Sequence, residues 1–226
     1  MCVAGTFSSL PQQTVCTDTL AGYYAPAGSS APLPCPEGAY GQQAGLARRL
    51  DCSLLPPGYW SNQTGLSALS QAFQCPPGTY NDQSGATGAS ACIPCSAGLY
   101  QPLTGAVRAG DCQPCPSGTS SSLEGIQKRS QCSNCSAGEF SLAGSALCSA
   151  CPGGQFSSSP GSQSCASCAA GTYSDQYQGS TGCLVCNGTA TPSGSPPSAC
   201  ISAIVAPTCA SAQPCQPGWR APCQAS

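Results

Sequence analysis

The sequence predicts a small disulfide-rich, β-poor fold. It reads as an elongated tandem array of 16–20-residue one-bridge modules with short β-hairpin-like pieces and almost no helix. Three observations predict this. Cysteine fills 21 of 226 positions, the frequency of a disulfide scaffold. Leu, Ile, Val and Phe together make only about 12% of the chain, too little for an ordinary core. The cysteines, glycines and aromatic residues recur at a fixed spacing, the mark of a repeat architecture.

The units become visible when each is started at the second Cys of a CxxC. They then open at Cys2, Thr19, Cys35, Leu55, Cys75, Cys95, Cys115, Cys135, Cys151, Cys168 and Cys186. Residues 1–200 thus hold eleven units, and 201–226 form a divergent Cys-containing tail, read as a truncated module. The period is 20 residues for the units opening at 35, 55, 75, 95 and 115. Each unit reads C-x-x-G-x-(aromatic), then a turn, then C. The glycine three residues after the opening is present in ten of eleven units, and the aromatic two further on in nine. Ser120 and Thr191 replace the aromatic. A second glycine stands ten residues after the opening of the long units, as Gly45, Gly65, Gly85, Gly105 and Gly125. A fixed glycine between short segments suits a turn that needs positive φ. Each unit is therefore a short extended piece, a turn and a return piece, with an aromatic ring on a disulfide as its core. Ile93-Pro94 and Gln113-Pro114 read as short hinges between modules. Each unit is expected to contact mainly its neighbours.

Two units show how the cysteines pair. Thr19 and Pro32 replace both cysteines of one unit, and Leu55 and Ala72 both cysteines of another. The losses come in twos within one loop. Pairing the opening and closing Cys of each unit orphans nothing. It gives Cys2–Cys16, Cys35–Cys52, Cys75–Cys92, Cys95–Cys112, Cys115–Cys132, Cys135–Cys148, Cys151–Cys165, Cys168–Cys183 and Cys186–Cys200. Pairing within each CxxC would strand Cys16, Cys35, Cys52 and Cys75, a hazard in an oxidising compartment. CxxC spacing also suits zinc. Four-thiolate sites would be broken on both sides of each gap, however, and the chain has no His to substitute. A redox thiolate needs nearby positive charge or a helix N-terminus, and the CxxC pairs are flanked by Pro, Ser, Ala and Gln. Cys209, Cys215 and Cys223 in the tail form an odd set and stay unassigned.

The two Cys-less units alone carry doubled aromatics, Tyr23-Tyr24 and Tyr59-Trp60. Extra ring burial would partly offset a missing bridge, since a bridge over such a loop contributes about 3 kcal/mol and a buried aromatic about 1.5–3 kcal/mol. The rival reading makes these four residues exposed anchors for a partner.

The stretches CPPGTY (75–80), CSAGLY (95–100), CPSGTS (115–120), CSAGEF (135–140) and CAAGTY (168–173) carry a family resemblance. The repeat resembles the cysteine-rich repeat of ephrin type-A/B receptor ectodomains, over residues 2–200. It is also similar to the small sub-module of tumour necrosis factor receptor repeats and to the growth-factor-receptor and EGF-like cysteine-rich group. The resemblance implies a string of small one-bridge modules in receptor ectodomains or secreted adhesion proteins. It implies no single ligand.

The chemistry of catalysis is missing. Zero His removes the commonest general base and the Ser-His and Cys-His nucleophiles. The eight acidic residues are scattered along the chain, with no paired-carboxylate or calcium-loop pattern. No enzyme and no cofactor are expected. Six basic residues make no footprint for nucleic acid, and no apolar run reaches the length of a membrane span. Five of the six, Arg48, Arg49, Arg108, Lys128 and Arg129, fall at two adjacent repeat positions and could line one edge as a weak site for an acidic partner. Asn62 and Asn187 begin N-glycosylation sequons, and Asn134 begins a poorer third. No signal peptide is visible, and Met1 reads as an internal or wrongly assigned start in a longer secreted or membrane protein.

These features point to a non-enzymatic extracellular or cell-surface repeat region that binds a protein or glycan. The alternatives are a structural spacer or matrix element without a ligand, and an intracellular zinc-binding CxxC array.

Overall fold

The computed structural model describes residues 1–10, 15–174, 176 and 178–185. Among them the chain forms ten two-stranded antiparallel hairpins and no larger sheet. Thr79–Tyr80 pairs with Ile93–Pro94, and Leu99–Tyr100 with Gln113–Pro114. The return strand of these two hairpins is thus the pair of residues inside a CxxC. Ile93-Pro94 and Gln113-Pro114 are not hinges, because each is held in register against its own aromatic strand. Pro is tolerated there because a two-stranded ribbon has only edges.

The five 20-residue units each contain a one-turn 3₁₀ helix before the closing position: Arg49–Asp51, Leu69–Gln71, Ala89–Ala91, Ala109–Asp111 and Arg129–Gln131. In four of them a polar side chain at the last helical position collects the orphan N–H groups ahead of the turn. Asp111 Oδ2 accepts from Val107 N–H at 2.9 Å and Arg108 N–H at 3.2 Å. Gln71 Oε1 accepts from Ser67 and Ala68 N–H at 2.7 and 3.2 Å. This is the N-terminal half of a capping box, applied to a single turn.

Neighbouring units are joined by a recurring set of backbone hydrogen bonds. Gly98 N–H donates to Ser121 O at 2.8 Å, Gln101 N–H to Ile126 O at 3.1 Å, and Gly125 N–H to Cys95 O at 2.8 Å. The residue six after the opening is buried by this arrangement, as Ser61, Asn81, Gln101 and Ser121 are. So is the apolar residue eleven after the opening in Leu66, Ala86, Ala106 and Ile126. The aromatic ring lies elsewhere than expected. Tyr24 packs with Leu46 against Ala39 and the Cys35–Cys52 bridge, which belongs to the following unit.

Contacts also reach past the neighbour. Gly98 has φ +83°, and a Cβ there would lie 2.2 Å from the carbonyl oxygen of Gly144, two units on. Gly22 meets Gly65 O at 2.3 Å and Gly58 meets Gly105 O at 2.4 Å in the same way. The units opening from Cys2 to Cys135 therefore each touch the next and stack on the next but one, whereas Gly154 and Gly171 of the last described units meet nothing there. Two constraints, positive φ and backbone-on-backbone approach, both leave glycine as the residue that fits.

Candidate binding surface at the bridge-free units

Eight bridges join Cys2–Cys16, Cys35–Cys52, Cys75–Cys92, Cys95–Cys112, Cys115–Cys132, Cys135–Cys148, Cys151–Cys165 and Cys168–Cys183. Cys186–Cys200, Cys209, Cys215, Cys223 and Asn187 lie outside the described residues. Each bridge closes the open side of a hairpin loop.

The Thr19 and Leu55 units are built differently on that side. Thr19 and Leu55 are both 0% exposed and fill the place of the buried opening cysteine. Thr19 also accepts a hydrogen bond from Gly45 N–H on its hydroxyl at 3.1 Å. The closing positions hold the half-buried Pro32 and Ala72, which reach across to nothing covalently. The rings do part of the closing. Trp60 stacks on Phe73 across the hairpin, with ring centroids 4.8 Å apart and planes at 29°. Tyr59 Oη accepts from Gln74 Nε2 at 2.8 Å, and Gln74 Oε1 accepts from Thr104 Oγ1 at 2.7 Å. The Trp60 indole N–H is buried and has no hydrogen-bond partner among the described residues.

Two open hollows sit at these units. One, of about 420 Å³, is lined by Phe7, Thr17, Asp18, Leu20, Tyr23 and Pro32. The other, of about 570 Å³, is lined by Tyr59, Leu69, Ser70, Ala72, Phe73 and Gln74. Each contains the first ring of an aromatic pair and the residue standing at the lost closing Cys. The two units are stacked next-but-one neighbours, with the Tyr23 hydroxyl 3.4 Å from where a Gly65 Cβ would sit. Tyr24 and Trp60 are turned to packing instead, on the neighbouring bridge and on Phe73. Sequence reasoning missed Leu20, Leu69 and Phe73 as lining residues. The available signal was the loss of the closing cysteines at Pro32 and Ala72, since a missing staple leaves space beside it.

The basic residues are arranged otherwise. Arg48 and Arg108 are spent on local ion pairs, with Asp51 at 2.9 Å and Asp111 at 3.1 Å. The Arg48 guanidinium, followed by backbone N–H groups, holds the Asp51 carboxyl below its usual value. For Asp111 the Val107 N–H is the larger cause, with Arg108 second. Arg49, Lys128 and Arg129 are exposed, with no ion pair among the described residues. The Cys35 and Cys115 units, which carry four of these five residues, each stack on the Cys75 unit between them, whereas the Cys95 unit of Arg108 stacks on the Leu55 and Cys135 units. Asn62 is exposed in the loop after Trp60. The Asn134 side chain instead lies over the Gly161 backbone two units on, 3.5 Å from its Cβ position.

Repeated disulfide-closed hairpins define a cysteine-rich modular protein. Residues 86–132, from the second half of the Cys75 unit through the Cys115–Cys132 bridge, match the family described as tyrosine-protein kinase ephrin type A/B receptor-like. No curated protein matches the chain. Among the described residues, no helix is long and apolar enough to cross a membrane.

Proposed function

We propose that this is a non-enzymatic, extracellular, receptor-ectodomain-like repeat region that binds a protein partner through its bridge-free units. The observation that carries the reading is that an open hollow adjoins the lost closing position of each bridge-free unit, at Pro32 and at Ala72, in two units stacked on each other. Eight bridges support an oxidising compartment. The hollows are open and aromatic-lined. They suit anchor side chains from a partner surface better than a small molecule, which an enclosed site would bury almost wholly. In this reading the array comprises eleven units, bridged also at Cys186–Cys200 and glycosylated at Asn62 and Asn187. Glycans there leave both hollows' lining residues unmodified.

A binding screen against secreted ectodomains and glycans tests the proposal, with Tyr23→Ser and Phe73→Ser compared with Leu123→Ser on an exposed loop of the bridged Cys115 unit. The expected result is a protein partner whose affinity falls about tenfold with either hollow variant and not with Leu123→Ser, since buried anchors carry most of an interface's energy. No partner, or a partner indifferent to both hollow variants, favours the spacer reading. Its support is the regular hydrogen-bonded lattice that runs through bridged and bridge-free units alike.

A further inference from the structure

Among the described units, the Cys115 unit alone lacks a ring five residues after its opening, where Ser120 stands. Side chains at that position meet the bridge of the following unit. Tyr24 packs against Cys35–Cys52, and Ser120 Oγ lies 3.1 Å from the Cys148 Sγ of Cys135–Cys148. Tyr24 with Leu46 and Tyr100 with Ile126 pair in parallel at equivalent positions, so the placement recurs along the array. A disulfide sulfur carries no hydrogen, so the Ser120 hydroxyl is the donor. No other bridge sulfur accepts a hydrogen bond among the described residues. Under Tyr24 both cysteines are buried, whereas Cys148 is half-buried. Exposure does not single Cys148 out, because Cys92 and Cys132 are half-buried as well. The hydroxyl on its sulfur does.

We propose that Cys135–Cys148 is a thiol-exchange site, the bridge that an external dithiol opens first. The inference is independent of the binding surface. Cys135 is 1% exposed, so the dithiol's first thiolate attacks the Cys148 sulfur. A bond forms there, the Cys135–Cys148 bond breaks, and its electron pair leaves on Cys135, which takes a proton from water. The second thiolate then attacks the reagent's own sulfur in the mixed disulfide. The reagent departs as a cyclic disulfide, oxidised by two electrons, and Cys148 is released as a thiolate. Ser120 already donates to that sulfur. A hydroxyl bonds a thiolate more strongly than a neutral sulfur, so it favours the reduced form and makes Cys148 the better leaving group. The face of a packed ring supplies no such donor. The unit keeps its place after opening. Gly138 N–H donates to Ser157 O, and Gly161 N–H to Cys135 O, both at 2.8 Å. The Thr19 and Leu55 units stand in the same lattice with no bridge. Exchange therefore makes the Cys135 unit a third bridge-free unit within an intact array.

The test is timed partial reduction of the full chain with dithiothreitol, its free thiols blocked beforehand and the newly opened ones alkylated and mapped by peptide. Cys135–Cys148 is expected to open about threefold to tenfold faster than Cys75–Cys92 and Cys115–Cys132, the scale of one charge-assisted hydrogen bond. Ser120→Ala removes the donor and uncovers the sulfur. It should nevertheless slow opening to the rate of the other two bridges. Ser120→Tyr, which restores the ring of the other units, should slow it at least as far. Hydrogen exchange at the Gly138 and Gly161 amides reports that each variant is folded, and should stay slow once the bridge is open. Another described bridge opening first overturns the site. A Ser120→Ala chain that opens as fast as the native one overturns the role of the hydroxyl. Loss of Gly138 and Gly161 protection on opening overturns the third bridge-free unit.

Discussion

The Leu55 unit has no bridge and the Cys95 unit has one, yet their backbones are tied in the same way. Gly58 N–H reaches Asn81 O at 2.8 Å as Gly98 N–H reaches Ser121 O at 2.8 Å. Gly85 N–H meets Leu55 O and Gly125 N–H meets Cys95 O, both at 2.8 Å. Each unit carries its 3₁₀ turn, Leu69–Gln71 in one and Ala109–Asp111 in the other. The difference lies beside the hairpin. Sulfur closes it in the Cys95 unit, whereas a Trp–Phe stack, a Tyr–Gln–Thr chain of hydrogen bonds and an open hollow stand there in the Leu55 unit. The lattice of glycines and backbone bonds sets the architecture. The bridge closes a loop that the lattice has already shaped, and where it is missing the surface is available for other uses.

If the lattice decides, glycine changes should cost most and should cost alike in both kinds of unit. Gly98→Ala must hold φ +83° and push its methyl to 2.2 Å from Gly144 O; Gly58→Ala meets Gly105 O at 2.4 Å. Positive φ and overpacking together suggest about 2–5 kcal/mol in each case. Hydrogen exchange should show the loss in the altered unit and in the unit two on. Local exchange is the right readout, because stability in an array is a sum of local terms. A cost confined to the bridge-free unit would break the comparison.

The next effect is that of the bridge. Cys95→Leu with Cys112→Ala rewrites one unit in the manner of the other. Releasing a loop of 17-residue separation should cost about 3 kcal/mol in the chain-entropy account. The Gly98–Ser121 and Gly125–Cys95 amide bonds should persist, with faster exchange. Collapse of the hairpin would show that sulfur, and not the lattice, holds the bridged units.

These two effects differ in how they were written in the sequence. Paired loss of Thr19/Pro32 and Leu55/Ala72 is a pattern of residue types, so the loop closure can be read from cysteines that are not there. The positive φ of the turn glycine was legible too, because Gly45, Gly65, Gly85, Gly105 and Gly125 recur at one spacing and all lie at φ between +72° and +76° except Gly125 at +68°. Stacking of each unit on the next but one was not. It is made of glycine Cα against carbonyl oxygen, and such a contact leaves no side-chain signature beyond the glycine itself. The buried polar row of Ser61, Asn81, Gln101 and Ser121 was hidden for another reason. Its members differ in size and meet local backbone amides, as Gln83 N–H meets Asn81 Oδ1 at 3.0 Å. Nothing apolar marks them as interior. The hollows were legible only as an absence, since what they share is the residue at a lost closing Cys, Pro32 in one and Ala72 in the other.

A smaller effect separates the roles of the rings. Phe73 is 46% exposed, so Phe73→Ala should cost about 1 kcal/mol, mainly the stacking with Trp60. Trp60→Phe keeps a ring on Phe73 and removes an unpaired buried N–H, so it should be neutral or stabilising by about 1 kcal/mol. Exchange of the Gln74 and Ser61 amides would report both. A marked loss in Trp60→Phe would mean that the indole N–H has a partner that matters.

The smallest effect is one of pH, and it divides the units along a different line. The 3₁₀ turns at 49–51 and 109–111 are held by the carboxylates of Asp51 and Asp111, while those at 69–71 and 129–131 use the amides of Gln71 and Gln131. Both carboxylates have folded-state values below the ordinary 3.8. A depressed carboxylate stabilises the fold fully above its unfolded value and loses that contribution as pH falls through the lower folded one. Acidification from neutral to below that range should therefore speed exchange of the Arg48 and Arg108 amides and leave Ala68 and Lys128 at the rate set by intrinsic chemistry alone. Both carboxylates lie at the surface, where solvent screens the ion pairs, so the change should be confined to the turn and spare the hairpin beside it. Asp111→Asn should remove the pH response at Arg108 while retaining an oxygen that can accept the same N–H. If Ala68 and Arg108 respond alike in the native chain, the turn is not held by its last polar side chain, and the likeness of Leu55 and Cys95 units would rest on the glycines and inter-unit bonds alone.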